Sequence, residues 1–202
     1  MRNILFSLFI LTLSGCSHLD NSDNVSPYLT MTWEEHQQKI QTLSNWSLSG
    51  KLAIFTKDDR QTANIYWRQQ GDNYTIELTS FIGTQILSIN KNEQGVEITN
   101  YNGDVYKGEN TEKIIHEMSP GLDLPISDLQ QWIKGNPSEA SYTLNANQRI
   151  DSLLSSKSHR YPWAVTYQQY DVFSGYFLPL KLNLKRNKIR LKIAIHEWQI
   201  EE

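Results

Sequence analysis

From Trp46 onward, apolar side chains return at every second position. Trp46, Leu48, Gly50, Leu52 and Ile54 form one series, Ala63, Ile65 and Trp67 a second, and Tyr74, Ile76 and Leu78 a third. Successive side chains of a strand point to opposite faces, so this period commits the segments to strands with one covered face. Asp58-Asp59 and Gln70-Gly71-Asp72-Asn73 lie between them as hairpin turns. Further strands are predicted at residues 85–89, 96–100, 105–107, 141–144, 149–154, 163–170, 176–184 and 189–198, with a turn at 92–95. Leu178, Leu180, Leu182 and Leu184, and then Ile189, Leu191, Ile193 and Ile195, give some of the cleanest alternation in the chain.

Three stretches follow the helical period instead. Trp33, His36, Gln37, Ile40 and Leu43 form one stripe, with Thr32 placed to cap it and Glu34 and Glu35 suited to its first turn. Residues 109–118 carry Ile114, Ile115 and Met118, and residues 125–134 carry Ile126, Leu129, Trp132 and Ile133 before Gly135 and Pro137 stop the helix. Many antiparallel strands with helices inserted midway predict a mainly β fold, a curved sheet or open barrel covered by helices. No linker-like break follows Thr30 and no repeat of fixed period occurs, so residues 31–202 read as one domain. A chain of 202 residues, 39% hydrophobic, can bury a core of its own.

The N-terminus obeys another logic. Met1-Arg2-Asn3 supplies one positive charge, and Ile4 to Leu13 is an almost unbroken apolar run. As a helix that run rises about 15 Å, half of a hydrocarbon core of roughly 30 Å, so it is too short for a permanent span. A basic start, a short apolar run and small residues after it read as a secretory signal over residues 1–15. Leu13-Ser14-Gly15-Cys16 resembles the lipobox of bacterial lipoproteins, and Cys16 is the only cysteine. That resemblance implies cleavage before Cys16, a thioether-linked diacylglycerol and N-acylation of the new terminus. Two or three acyl chains anchor stably where one does not. Ser17 stands where lipoproteins kept in the inner membrane usually carry Asp, which implies export to the outer membrane. Residues 16–30 are then the lipidated cysteine and a polar, flexible tether. The Asn-x-Ser/Thr triplets at Asn24, Asn45 and Asn73 would matter only in a eukaryotic secretory compartment.

The chain offers little catalytic chemistry. His18, His36, His116, His159 and His196 are scattered, without the spacing of a zinc protease. Ser49-Gly50 and Ser174-Gly175 lack a nucleophile-elbow context, and the glycines never cluster into a phosphate-cradling loop. A single cysteine excludes an internal disulfide framework and a cysteine-based structural zinc site. The net charge of −3 argues against a nucleic-acid binder. We expect no enzyme, no metal and no cofactor beyond the lipid on Cys16.

Several stretches together resemble the LolB family of outer-membrane receptors, which accept lipoproteins from the periplasmic carrier LolA. Trp33-x-x-His36 leads into Leu43-x-x-Trp46, and Ser49-Gly50-Lys51-Leu52-Ala53 opens the first strand. Trp67-Arg68-Gln69 follows, then Leu78-Thr79-Ser80-Phe81-Ile82-Gly83 and Pro125-x-x-x-Leu129-x-x-Trp132-Ile133-x-Gly135-x-Pro137. Trp163-x-Val165-x-Tyr167-x-x-Tyr170, Leu178-Pro179 and the segment from Ile189 through Trp198 complete a match over nearly the whole mature chain. The resemblance implies an incomplete antiparallel β-barrel under a helical lid, whose apolar hollow holds the acyl chains of a triacylated lipoprotein. It implies LolA and the inner leaflet of the outer membrane as partners, with the protein lipid-anchored on the periplasmic face and monomeric.

Within that frame the candidate walls are Trp46, Leu48, Leu52, Trp67, Ile76, Leu78, Val165 and Leu180, with lid residues Ile115, Leu129, Trp132 and Ile133. Spacing does not show which strand face is concave, and an ordinary filled core is the other reading of the same residues. Phe81 replaces the family's usual Pro, and Ile82 its Leu, at the tip of a loop that the resemblance makes membrane-touching. Spacing alone favours the two as core at a strand end. Lys181, Lys185, Arg186, Lys188, Arg190 and Lys192 form a basic run, either a solvated hairpin face or a contact for anionic lipid or an acidic carrier. A lipid-anchored barrel for another apolar ligand, and an assembly scaffold with no cavity, share these features.

Overall fold

The computed structural model describes residues 31–155 and 161–201. The signal segment, Cys16, Ser17 and the tether lie outside the described residues. Helix α1 (Trp33–Thr42) comes first, then strands β1 (Asn45–Phe55), β2 (Arg60–Gln70), β3 (Asn73–Thr79), β4 (Gln85–Asn92), β5 (Gly95–Asn100) and β6 (Val105–Gly108). Helices α2 (Thr111–Met118) and α3 (Ile126–Trp132) follow. Strands β7 (Ser141–Leu144), β8 (Ile150–Leu154), β9 (Ala164–Phe173), β10 (Tyr176–Arg186) and β11 (Ile189–Ile200) complete the chain.

All the strands join one 11-stranded sheet in the order β6-β5-β4-β3-β2-β1-β11-β10-β9-β8-β7. Every pairing is antiparallel, and the one pairing between distant strands brings β1 against β11. The edge strands β6 and β7 do not pair with each other, so the barrel is incomplete. Helices cover its hollow. This is the mainly β, open-barrel architecture expected from the alternation.

Local chemistry explains most element ends. Thr32 and Glu35 form a reciprocal capping box on α1, and the Asn110 side chain accepts from the Lys113 N–H to cap α2. Helix α2 therefore starts at Thr111, not at 109, and α3 is shorter than the predicted 125–134, with Gly135 in the left-handed region beyond it. The strand ends moved outward: β9, β10 and β11 each run two or three residues past the predicted limit.

One alternation fails. The register of β10 slips on both sides of Lys181, and this irregularity leaves Leu180 half-buried while Leu178, Leu182 and Leu184 are covered. A second irregularity sits at Ser49/Gly50 where β1 meets β11. There the chains approach so closely that a Cβ on Gly50 would overlap the Ala194 carbonyl oxygen.

Candidate functional site

The pairings orient the molecule. Because β1 ends beside the starts of β2 and β11, the turns at 56–59 and 187–188 share one end of the sheet. The β3–β4 loop at 80–84 and the β5–β6 turn at 101–104 lie at that same end, since Thr79 pairs with Gln85 and Leu87 with Asn100. Helix α1 closes the opposite end, where the Lys39 ammonium donates to the Gly175 carbonyl over 2.6 Å in the β9–β10 turn.

Between the sheet and the lid helices lies an apolar cavity of about 310 Å³. Leu52, Trp67, Ile76 and Leu78 supply wall, and Ile115 and Leu129 supply lid. Trp46, Leu48, Trp132, Ile133, Val165 and Leu180, expected beside them, are not among the lining residues. The physical reason is visible for the first strand. Trp46 packs 5.5 Å from Trp67 and 5.2 Å from Trp198, ring centre to ring centre, so bulky indoles fill the hollow towards α1. Trp67 stands at the boundary, one side on this cluster and the other on the cavity. Trp132, Ile133 and Val165 are fully covered core, and Leu180 was displaced by the irregularity in β10.

The space remains towards the loop end. There the cavity is bordered by Gln61, Ile86, Tyr101, Tyr106, Met118 and Leu122, of which the sequence pattern had singled out only Met118, as an apolar position of the second helix. Tyr101 is 74% exposed, so it marks the mouth. Its setting in Tyr101-Asn102-Gly103 reads as a turn, which hid its role as a rim.

The lid is fastened at definite points. Tyr74 and Thr111 hydroxyls meet at 2.6 Å, tying β3 to the start of α2, and burial pushes the Tyr74 phenol up to about 12, so it stays neutral. One Glu112 carboxylate oxygen accepts from both the N–H and the hydroxyl of Ser127, each at 2.7 Å, linking α2 to α3. Asp123 in the connection between them takes His116 Nδ1 at 2.7 Å and lies 3.7 Å from the Arg186 guanidinium. Arg186 is thus withdrawn from the basic run and holds the lid to the tip of β10. Near α1, Lys134 is buried and donates to the Leu43 carbonyl over 2.7 Å, with burial holding its ammonium down at about 8. Among the described residues, no group of three or more His, Cys, Asp and Glu side chains is placed to hold a metal.

The loop carrying Phe81 and Ile82 is braced at its base and bare at its tip. Ser80 and Thr84 bond through N–H to carbonyl at 2.8 Å, the Gly83 N–H donates to the Ser80 carbonyl at 3.0 Å, and Asn64 Nδ2 donates to that carbonyl at 2.9 Å. Gly83 adopts φ +87°, which a side chain would oppose. These bonds close the turn without the family's proline. Phe81 is 93% exposed and Ile82 72%, so neither packs as core, contrary to the reading from spacing alone. The turn thus presents two large apolar side chains to the surroundings as a bare apolar tip.

The family model described as "Outer membrane lipoprotein LolB" matches residues 44–198. The chain belongs to the LolB family. Among curated LolB proteins, that of Psychromonas ingrahamii is 40% identical over 196 residues, 96% of this chain and 94% of its own. That of Aeromonas hydrophila is 32% identical, over 97% of this chain and 96% of its own. Among solved structures, a LolA-superfamily protein from Nitrosomonas europaea superposes with a TM-score of 0.52 at 9% identity, over 85% of this chain and 94% of that one. A DUF1329 family protein from Desulfovibrio piger gives 0.51 at 10% identity, over 84% and 90%. At these identities the two superpositions show a shared fold alone.

Proposed function

We propose that this protein is the outer-membrane receptor of a lipoprotein relay, accepting triacylated lipoproteins from the periplasmic carrier LolA and passing them into the inner leaflet of the outer membrane. Membership of the LolB family and a LolA-like fold support a role in outer-membrane lipoprotein localisation. The observation that carries the finer reading is the shared end: the mouth of the apolar cavity and the bare Phe81–Ile82 tip lie together.

Each buried acyl CH₂ is worth about 0.8 kcal/mol, so a triacylated protein does not cross water unaided at useful rates. The cavity substitutes for the bilayer. At about 310 Å³ it lies at the low end of the roughly 300–1,000 Å³ usual for small-ligand pockets, too little for three long chains. The lid must move to admit them, exchanging contacts of α2 and α3 with the sheet for contacts with the guest. With no nucleotide in the scheme, transfer runs downhill. A receiver that binds the chains about 1.4 kcal/mol better than the carrier already biases hand-over tenfold. Phe81 and Ile82 then enter the leaflet, each worth about 1.5–3 kcal/mol on burial, and bring the mouth to the hydrocarbon. Cys16 with its lipid anchors the chain on the periplasmic face, and the receptor acts as a monomer.

The test is transfer from lipoprotein-loaded LolA to liposomes. Wild-type protein should deliver the passenger, and Ile82→Glu should take it from LolA but fail to deliver. Normal delivery by Ile82→Glu would refute the loop's role, and failure of the wild-type protein to take the passenger would refute the receptor reading.

A further inference from the structure

The face of the sheet turned away from the cavity carries a second groove, of about 450 Å³, beside the loop. Its position follows from the register. Lys181, Ala194, Lys51 and Asn64 form one row across β10, β11, β1 and β2, and Asn183, Lys192, Ala53 and Thr62 form the next. The small side chains of Ala53 and Ala194 leave the floor low, while Lys51, Lys181, Lys192 and Arg60 stand around it and Phe81 closes one side. Among the described residues no carboxylate lines the groove. Among the described residues none of these cations forms an ion pair, whereas Arg68, Lys107 and Arg186 do.

The third row tightens the cluster. Phe55 pairs with both Arg60 and Arg190, whose guanidinium carbons lie 5.1 and 4.3 Å from its ring centre, and Lys192 Nζ lies at 5.9 Å. One aromatic ring therefore gathers three cations that repel one another, an arrangement relieved when an anion settles between them. Among the described residues Asp59 at the neighbouring turn forms no ion pair with these cations; its carboxylate accepts from the Arg60 N–H at 2.7 Å and from Gln61 Nε2 at 2.9 Å.

We infer that this outer groove binds the phosphate of anionic glycerophospholipids in the bilayer that the Phe81–Ile82 loop enters. The inference rests on the loop reading above. A loop whose tip enters hydrocarbon brings its flank to the level of the headgroups, and the flank here is the wall that Phe81 shares with the cations. Phosphates there neutralise the cluster, with Asn64, Thr62 and Asn183 at hand as polar partners. The groove orients the receptor, holding the cavity mouth against the leaflet while a passenger leaves.

The test is flotation of the mature chain, residues 16–202, carrying Cys16→Ala, so that neither the apolar signal nor a lipid anchor contributes. Vesicles of phosphatidylethanolamine alone are compared with vesicles of equal parts phosphatidylethanolamine and phosphatidylglycerol. Wild type should bind the mixed vesicles more tightly, and Lys51→Gln/Lys181→Gln/Lys192→Gln should lose at least about tenfold of that gain, with Arg at the same positions restoring it. Lys91→Gln/Lys113→Gln, remote from the groove, should keep the gain. An equal gain in wild type and triple variant overturns the proposal, as does an equal loss in the remote variant, which would show diffuse attraction. So does a triple variant that keeps the gain but no longer binds LolA. Ile82→Glu on phosphatidylethanolamine vesicles reads the loop alone, so failure of the loop reading is seen separately from failure of the groove.

Discussion

The Tyr167 hydroxyl donates to the Trp132 carbonyl over 2.7 Å, pinning the end of α3 to the sheet inside the core. Burial pushes the Tyr167 phenol well above its ordinary range, which favours the neutral, donating form. The same carbonyl also accepts from the Gly135 N–H at 2.9 Å, so it is not orphaned if Tyr167 is truncated. Tyr167→Phe should therefore cost only about 0.5–1.5 kcal/mol in urea unfolding. Hydrogen exchange in α3 should nonetheless quicken, because a lid fastening is gone. Unchanged exchange would mean that α3 is held elsewhere.

Filling the cavity should block it without unfolding the protein. Leu78 lines the space and is only half-buried, so Leu78→Trp can project its indole into existing volume and avoid most of the 1–3 kcal/mol that overpacking usually costs. Uptake of a fluorescent fatty acid should fall several-fold while the thermal midpoint holds. A midpoint that drops with uptake intact would place the guest elsewhere.

The tip and the base of the loop should separate in experiment. Phe81→Ser and Ile82→Ser remove side chains that touch little, so unfolding free energy should change by no more than about 0.5 kcal/mol. Asn64→Ala removes the brace to the Ser80 carbonyl and should raise proteolytic nicking at 80–84 while leaving the tip chemically intact. Equal nicking in Asn64→Ala and wild type would show that the turn's own bonds suffice.

Gly50→Ala should be among the costliest small substitutions. The added Cβ overlaps backbone of β11, which cannot rotate away as a side chain can, and the strand pairing that joins the two halves of the sheet must part. A loss of at least about 2 kcal/mol in chemical unfolding is expected. Gly71→Ala provides the contrast, since nothing lies within reach of its Cβ and its cost comes from a left-handed φ alone.

His36 sets an acid limit on α1. Burial first, and then the charges of Arg149 and Lys39, hold its imidazole down at about 3, and its Nδ1 has no hydrogen-bond partner among the described residues. Below the ordinary value of 6.5 the unfolded chain takes up a proton that the folded chain refuses. Stability is thus fully present above that value and is lost as pH falls towards 3, with a slope of about 1.4 kcal/mol per pH unit. His36→Gln should flatten that part of the pH profile of urea unfolding. An unaltered slope would assign the acid limit to other groups.

The alternation from Trp46 to Leu78 gave the strands and their covered faces, because a strand's period is local: each side chain's face follows from its neighbours two residues away. Turn residues gave the hairpins for the same reason, and Gly135 marked the helix end where the chain turns left-handed, whereas the left-handed turn at Gly83 was not read from the pattern. Local pattern stopped short wherever a property depended on space. Whether an inward residue lines a void or packs against another depends on what reaches it from across the sheet, and the Trp46, Trp67 and Trp198 rings meet from three strands. Leu180 lost its place to a register slip that no periodicity foretells. Phe81 and Ile82 look like core in one dimension and stand in solvent in three, because the bonds from Asn64, Gly83 and Thr84 turn the chain outward. The sequence determined which faces would be apolar. The tertiary structure alone decided where that apolar surface would be left unfilled, since a cavity is a shortfall of volume among residues distant in the chain.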